Sequence, residues 1–90
     1  MTINIGIRLP DNKVYWKNQL QIFADRLNPE KIKEVQFGKQ DSRGTESITL
    51  IDKSSCVPCQ KHFENKWELL GFVCGFNEIK GYQTFKGFLK

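Results

Sequence analysis

The sequence predicts a small α+β domain in which two helices pack on one face of an antiparallel sheet, in the order β-α-β-β-α(-β). Three observations predict this class. Apolar residues alternate near the N-terminus, two segments carry them at helical spacing, and a polar loop separates two further alternating segments. Of the 90 residues, 39% are hydrophobic and 12% aromatic, which supplies one core. Residues 1–90 are therefore predicted to form a single domain.

The first two elements are predicted from a change in apolar spacing. Residues 2–9 have an apolar side chain at every second position, as in a half-buried strand: Ile3, Ile5, Ile7 and Leu9. Residues 13–27 have them three or four apart, as on one face of a helix: Trp16, Leu20, Phe23, Ala24 and Leu27. Asn28-Pro29 is predicted to end this helix, because proline cannot continue the hydrogen-bond ladder.

A hairpin and a second helix are predicted to follow. Residues 31–39 and 46–52 alternate, and the polar residues 40–45 between them predict a loop. The second helix is predicted for residues 58–77, where spacings of three and four connect Cys59, Phe63, Trp67, Leu70 and Cys74. Val73 and Phe76 broaden this apolar stripe. Its candidate N-caps are Ser54 and Ser55, and its glycines Gly71 and Gly75 predict close approach by another element. Residues 81–90 are predicted to form a final strand or a mobile tail.

Composition excludes several classes of protein. No apolar run approaches the roughly 18–20 residues that span a membrane, and the alternating N-terminus is not typical of a signal peptide. Three cysteines, an odd number, indicate reduced thiols rather than a disulfide scaffold. We therefore expect a cytoplasmic protein with no membrane partner. The sequence predicts no oligomeric state.

Cys56-Val57-Pro58-Cys59 raises the question of a metal site. Zinc would need further ligands, for which His62 and Cys74 are the remaining candidates. On an unbroken helix over residues 58–77, however, Cys59 and Cys74 would lie roughly 22 Å apart, far beyond what one zinc ion can bridge. We predict no metal and no cofactor.

The same motif has a redox interpretation. The stretch from Ile48 to Lys61, a strand running through a short loop into Cys-x-x-Cys, resembles the active-site segment of the glutaredoxin branch of the thioredoxin superfamily. The resemblance ends at Gly71. It implies a thiol oxidoreductase in which a helix N-terminus stabilises the attacking Cys56 thiolate and Cys59 is the resolving thiol. Alternatively, Cys59 and Cys74 are small core residues on the buried stripe of the helix, and Cys56 has no particular role.

Charge favours a binding function over catalysis. The lone His62 has no carboxylate or hydroxyl at a spacing that predicts a general base, so we expect no enzyme activity. The net charge is +4, and its excess lies in residues 31–45 and 69–90, while the predicted helices are nearly balanced. Basic residues interleaved with aromatics suit RNA or single-stranded nucleic acid. The predicted contacts are Lys31, Lys33, Lys39, Arg43, Lys80, Lys86 and Lys90 for phosphates, and Tyr82 and Phe85 for stacking on bases.

Three alternatives remain open at this point. Phe85 and Phe88 could pack on the sheet as a final strand, with lysines outward at its edge. The small size and the lack of motifs also suit a compact inhibitor or adaptor directed at a host protein, of the kind that phages and mobile elements encode. The thiol oxidoreductase is the third and weaker hypothesis.

Overall fold

The computed structural model describes residues 1–39, 46–54, 58–78 and 85–90. Its elements in chain order are β1 (Thr2–Ile5), α1 (Lys13–Asp25), β2 (Ile32–Lys39), β3 (Glu46–Asp52), β4 (Cys59–Phe63), α2 (Lys66–Glu78) and a 3-10 turn (Lys86–Phe88). The four strands form one sheet in the order β1-β2-β3-β4, with β1 and β4 at its edges. The predicted α+β class, with two helices packed against a sheet, is confirmed.

The sheet is mixed rather than wholly antiparallel, which corrects the prediction. β2, β3 and β4 are antiparallel neighbours, whereas β1 runs parallel to β2 with Ile3 beside Val35. The reason is α1, which connects β1 to β2 as a crossover and returns the chain to the end of the sheet where β1 began.

The core lies between one face of the sheet and the two helices. Val35, Phe37, Ile48 and Leu50 project from β2 and β3 into this layer and are fully buried. From α1, the ring of Phe23 lies 5.7 Å from that of Phe37, and from α2 the ring of Phe72 lies 5.3 Å from that of Phe63. Both helices therefore cover the same face, as predicted.

Residues 59–63 form a strand, so the prediction of a helix from residue 58 is wrong. They pair with β3 from Leu50–Cys59 to Glu46–Phe63. A spacing of four places two residues on one face of a helix and also on one face of a strand, so Cys59 and Phe63 fit both.

The second helix begins at Lys66 because Asn65 caps it. Asn65 Oδ1 accepts a hydrogen bond from the Glu68 N–H (3.0 Å), and Glu68 Oε2 accepts one from the Glu64 N–H (2.8 Å). This reciprocal arrangement closely resembles a capping box. Ser54, predicted as an N-cap, instead donates to the Asp52 carboxylate (2.9 Å), and Ser55 lies outside the described residues.

The buried face of α2 includes the predicted Leu70, Val73 and Phe76 but not the predicted Trp67. Leu69, Leu70, Val73 and Phe76 are buried, whereas Trp67 is 58% exposed. Among the described residues, no atom beyond the helix's own nearby backbone lies within 4 Å of a methyl group added at Gly71 or Gly75, so the predicted close approach is not found there. Close approach occurs elsewhere, between Gly38 and Gly6: a Cβ on Gly38 would lie 3.0 Å from the Cα of Gly6.

The last six residues pack against the end of α1. The Asn28 N–H donates to the Phe88 carbonyl (2.8 Å), and the Lys90 N–H donates to the Arg26 carbonyl (3.0 Å). Only an isolated bridge from Leu89 to Leu27 resembles strand pairing here, so residues 85–90 are not the predicted final strand. Residues 81–84 lie outside the described chain. Neither helix of the described chain has the length and hydropathy that a membrane crossing requires.

Candidate functional site

Two adjoining cavities open where β1 ends and both helices begin. The first, of about 510 Å³, is lined by Ile3, Ile5, Ile7, Arg8, Leu9, Lys13 and Lys17. The second, of about 410 Å³, is lined by Arg8, Leu9, Pro10, Asp11, Lys13, Lys66 and Trp67. Because the cavities share Arg8, Leu9 and Lys13, we treat them together as the basic groove, with a β1 half and a Trp67 half.

The fold explains why these residues meet. β1 and β4 both lead the chain toward the same end of the sheet, and each is followed by a short turn into a helix. The first residues of α1 and α2, Lys13 and Lys66, therefore lie at this end. Lys66 Nζ donates a hydrogen bond to the Arg8 carbonyl (3.3 Å), which connects the start of α2 to the turn after β1.

The groove concentrates positive charge. Among the described residues that line it, Asp11 is the only acidic one, against four cations: Arg8, Lys13, Lys17 and Lys66. Within the described part of the chain, no carboxylate forms an ion pair or hydrogen bond with any of these cations. Their charges are therefore available to an anionic ligand.

The start of α1 adds to this potential. Helices usually have an acidic first turn and a side-chain cap, which offset the partial positive charge of the exposed N–H groups. The first turn of α1 has no acidic residue, and Asn12, the N-cap, has a left-handed backbone (φ 66°) and makes no side-chain cap bond. Lys13 stands in that turn instead, which is locally unfavourable for the helix.

Trp67 gives the groove an aromatic surface. Its side chain is 58% exposed, and Lys66 Nζ lies 5.3 Å from the centroid of its ring. A tryptophan ring is large and flat, and when it is exposed it offers a face on which a planar ligand can stack. The Trp67 half therefore combines a stacking surface with cations.

The residues predicted to contact nucleic acid differ in their exposure, and some lie outside the described chain. Arg43, Lys80 and Tyr82 lie outside the described residues, as does the side chain of Lys39. Lys33 is exposed on β2. Phe85 is 8% exposed, with ring centroids 6.1 Å from Phe23 and 6.3 Å from Phe72, so its ring is part of the core.

The structure brings three of the predicted lysines together. Lys31 Nζ donates to the Gly87 carbonyl (3.3 Å), which places Lys31 beside the segment that carries Lys86 and Lys90. We call Lys31, Lys86 and Lys90 the tail surface. Among the described residues, this surface has charge but no strongly exposed ring, because Phe85 is buried and Phe88 is half-buried.

The cysteines do not form the predicted redox arrangement within the described chain. Cys59 lies in β4, and α2 begins seven residues later, so this thiol does not stand at the N-terminus of a described helix. Cys56 lies outside the described residues. Cys74, on α2, is a free thiol whose Sγ lies 3.9 Å from the Tyr15 hydroxyl, and this contact raises the pKa of Tyr15.

The geometry that argued against zinc also needs correction. Cys59 and Cys74 lie on different elements and not on one long helix. Among the described residues, no three His, Cys, Asp or Glu side chains are arranged to hold a metal ion.

Sequence reasoning missed the basic groove because it summed charge over each helix. Both helices are nearly balanced, but Lys13 and Lys17 stand at the start of α1 and Asp25 at its end. The spacing places Trp67 on the buried stripe because it lies three residues before Leu70, but Trp67 stands in the first turn of α2 and is exposed. Asn65 followed three residues later by Glu68 was the signal for the true start of this helix.

Comparison with models of protein families, with curated proteins and with solved structures finds no match to this chain.

Proposed function

We propose that this protein is a small, non-enzymatic binding protein of a reducing cytoplasm, and that its ligand is RNA or single-stranded DNA. One observation carries the proposal: Arg8, Lys13 and Lys66 converge on a cavity that also contains the exposed ring of Trp67. Cations beside an accessible aromatic face are the combination that single strands use, since phosphates meet the cations and bases stack on the ring.

Trp67 takes the stacking role first predicted for Tyr82 and Phe85. Phe85 is buried, and Tyr82 lies outside the described residues. A single strand is favoured over a duplex because a base must leave its own stack to lie on the ring.

The proposed phosphate contacts include residues of the groove and residues that were predicted from the sequence. Arg8, Lys13 and Lys66 supply the contacts in the groove. β2 ends and β3 begins at this same end of the sheet, which keeps Lys39 and Arg43 as candidate contacts. Lys31, Lys33, Lys80, Lys86 and Lys90 are candidates for a longer path along the surface.

Tryptophan fluorescence tests the proposal directly. A Trp16→Phe variant leaves Trp67 as the only indole, so any quenching on addition of oligo-uridine or oligo-thymidine reports a base on that ring. The Trp67→Ala variant lacks this fluorescent ring, so its affinity is measured with a label on the oligonucleotide. The substitution is expected to weaken binding by about 1–3 kcal/mol, or roughly 5- to 150-fold in Kd. If neither oligonucleotide binds at low ionic strength, the proposal is wrong.

A protein-directed inhibitor or adaptor is the second candidate function. The observation that favours it is the apolar wall of the β1 half of the groove, beside an edge strand of the sheet. Nucleic acid makes little use of such a wall, whereas a polypeptide can pack against it.

A further inference from the structure

The two edge strands of the sheet differ in how well they are protected against pairing with a further strand. On β4, Lys61 points toward the helix layer, with its Nζ 5.6 Å from the ring centroid of Phe63 and 5.5 Å from that of Phe72. An inward-pointing charge of this kind discourages another strand from pairing with an edge. β1, at the other edge, has neither a charged residue nor a proline between Thr2 and Ile5.

Backbone groups of β1 face outward along its open edge. The Gly6 N–H donates to the Phe37 carbonyl (2.6 Å), so alternate residues of this segment turn their backbone groups toward β2. Ile3 and Ile5 therefore turn their N–H and C=O groups away from β2. No other described strand pairs with them.

The β1 half of the groove lies beside this edge. Ile3, Ile5 and Ile7 give it an apolar wall, and Ile5 is 36% exposed. Lys13 and Lys17, on the first turns of α1, form the opposite side. A ligand bound here must therefore contact both apolar side chains and cations on the face of the sheet that carries the helices.

We propose that the edge of β1 binds an extended, acidic segment of a partner protein, which adds to the sheet as a fifth strand. Main-chain hydrogen bonds to Ile3 and Ile5 hold the segment. Because side chains alternate between the two faces of a strand, every second residue enters the groove, where apolar side chains pack on the isoleucines and flanking carboxylates meet Lys13 and Lys17.

The positive charge beside β1 argues against a second copy of this chain as the strand that pairs with this edge. Two copies paired through β1 would bring two sets of Arg8, Lys13 and Lys17 together, and β1 itself has no carboxylate to offset them. Like charges placed in contact oppose association, so the partner is acidic and different from this protein. A nucleic acid has no ladder of amide donors and carbonyl acceptors with which to pair the edge.

A synthetic peptide tests the inference. Its groove-facing positions are valine flanked by glutamate, and its alternate positions are threonine. We expect it to bind the full chain at low ionic strength and to slow amide hydrogen exchange at Ile3 and Ile5, as measured by NMR. Replacing two consecutive central residues, one threonine and one groove-facing residue, with proline removes a main-chain donor from whichever edge of the peptide faces β1 and is expected to weaken binding.

Charge reversals on the protein locate the site. Lys17→Glu is expected to weaken peptide binding on the order of tenfold, whereas Lys86→Glu makes the same change of net charge on the tail surface and is expected to leave it nearly unchanged. Trp67→Ala is expected to leave peptide binding intact, which separates this site from the proposed nucleic-acid contact.

Several results would overturn the inference. These are no peptide binding, binding without slower exchange at Ile3 and Ile5, equal weakening by both charge reversals, and protection of the same two amides by oligo-uridine. The last result would assign the β1 half of the groove to nucleic acid.

Discussion

The ammonium of Lys66 donates a hydrogen bond to the backbone carbonyl of Arg8 across 3.3 Å. This bond joins the first residue of α2 to the turn after β1, two segments that are 58 residues apart in the chain. It holds the Lys66 side chain at the groove while leaving its charge without a carboxylate partner in the described chain. The groove is therefore an arrangement produced by the fold, since no continuous stretch of sequence contains it.

Phe85 and Trp67 are expected to differ in their contribution to stability. Phe85→Ala removes a ring packed between Phe23 and Phe72 and is expected to lower the free energy of unfolding by about 3–5 kcal/mol. Trp67→Ala removes a mostly exposed side chain and is expected to change it far less. Thermal and urea unfolding of both variants measures the contrast. A Phe85→Ala variant as stable as the natural chain would contradict its place in the core.

Gly38 is expected to be required for the junction of β1 and β2. Gly38→Ala would place a methyl group 3.0 Å from two backbone atoms of Gly6, neither of which can rotate away, and is expected to destabilise the fold by about 1–3 kcal/mol. Gly6→Ala is the matched control, because its nearest contact, the Phe37 carbonyl at 3.4 Å, is an ordinary one. Urea unfolding of the pair should show the larger loss of stability for Gly38→Ala. Equal losses would refute the steric explanation.

Gly71 is expected to behave in the opposite way. It lies in α2, and within the described part of the chain an added methyl group meets no atom within 4 Å beyond the helix's own nearby backbone. Gly71→Ala should therefore raise the free energy of unfolding by up to about 1 kcal/mol, because alanine restricts the unfolded chain and favours the helix. A decrease in the melting temperature would show that something packs against this position.

Asp52 is expected to make stability depend on pH. Its carboxylate accepts hydrogen bonds from the Ser54 N–H (2.8 Å) and hydroxyl (2.9 Å), and these bonds lower the pKa of Asp52. The stabilisation is fully present at pH values above the usual aspartate pKa of about 4. It is lost as the pH falls through the lower pKa that Asp52 has in the folded protein. Asp52→Asn should thus be less stable than the natural chain at neutral pH, and the difference should shrink in acid.

Ser54→Ala provides the control for that titration. It removes the hydroxyl donor and keeps the backbone donor, so a smaller effect in the same pH range is expected. Denaturant unfolding at a series of pH values measures both variants. A difference between natural and Asp52→Asn chains that stays constant down to the most acidic pH would contradict the assignment.

Local patterns were sufficient to predict some elements and not others. The spacing of Leu20, Phe23 and Ala24 correctly predicted the buried face of α1, because no strand has that period. Cys59 and Phe63 led to a wrong prediction because a separation of four residues fits both a helix and a strand. Only the cap at Asn65 shows that the helix starts after these two residues. The groove was beyond prediction for a different reason. Arg8, Lys13 and Lys66 become neighbours only through the parallel pairing of β1 with β2, which long-range packing decides.

The central claim is that the groove, and not the tail surface, is where nucleic acid binds. Two double variants test it, because each removes two positive charges: Arg8→Ala with Lys13→Ala in the groove, and Lys86→Ala with Lys90→Ala on the tail surface. Lys66 is left in place because its bond to the Arg8 carbonyl is structural. The measurement is the affinity for oligo-uridine as a function of salt concentration.

We expect the groove variant to flatten the logarithmic salt dependence by roughly 0.7 for each phosphate that it no longer neutralises, so by roughly 1.4 in all. Its affinity should fall alike for every oligonucleotide sequence, since phosphate contacts position a strand without reading it. The tail variant should keep most of the natural slope. If the tail variant flattens the slope and the groove variant keeps it, the groove is not the binding site. If both flatten it equally, the groove is not the principal site and the central claim is wrong.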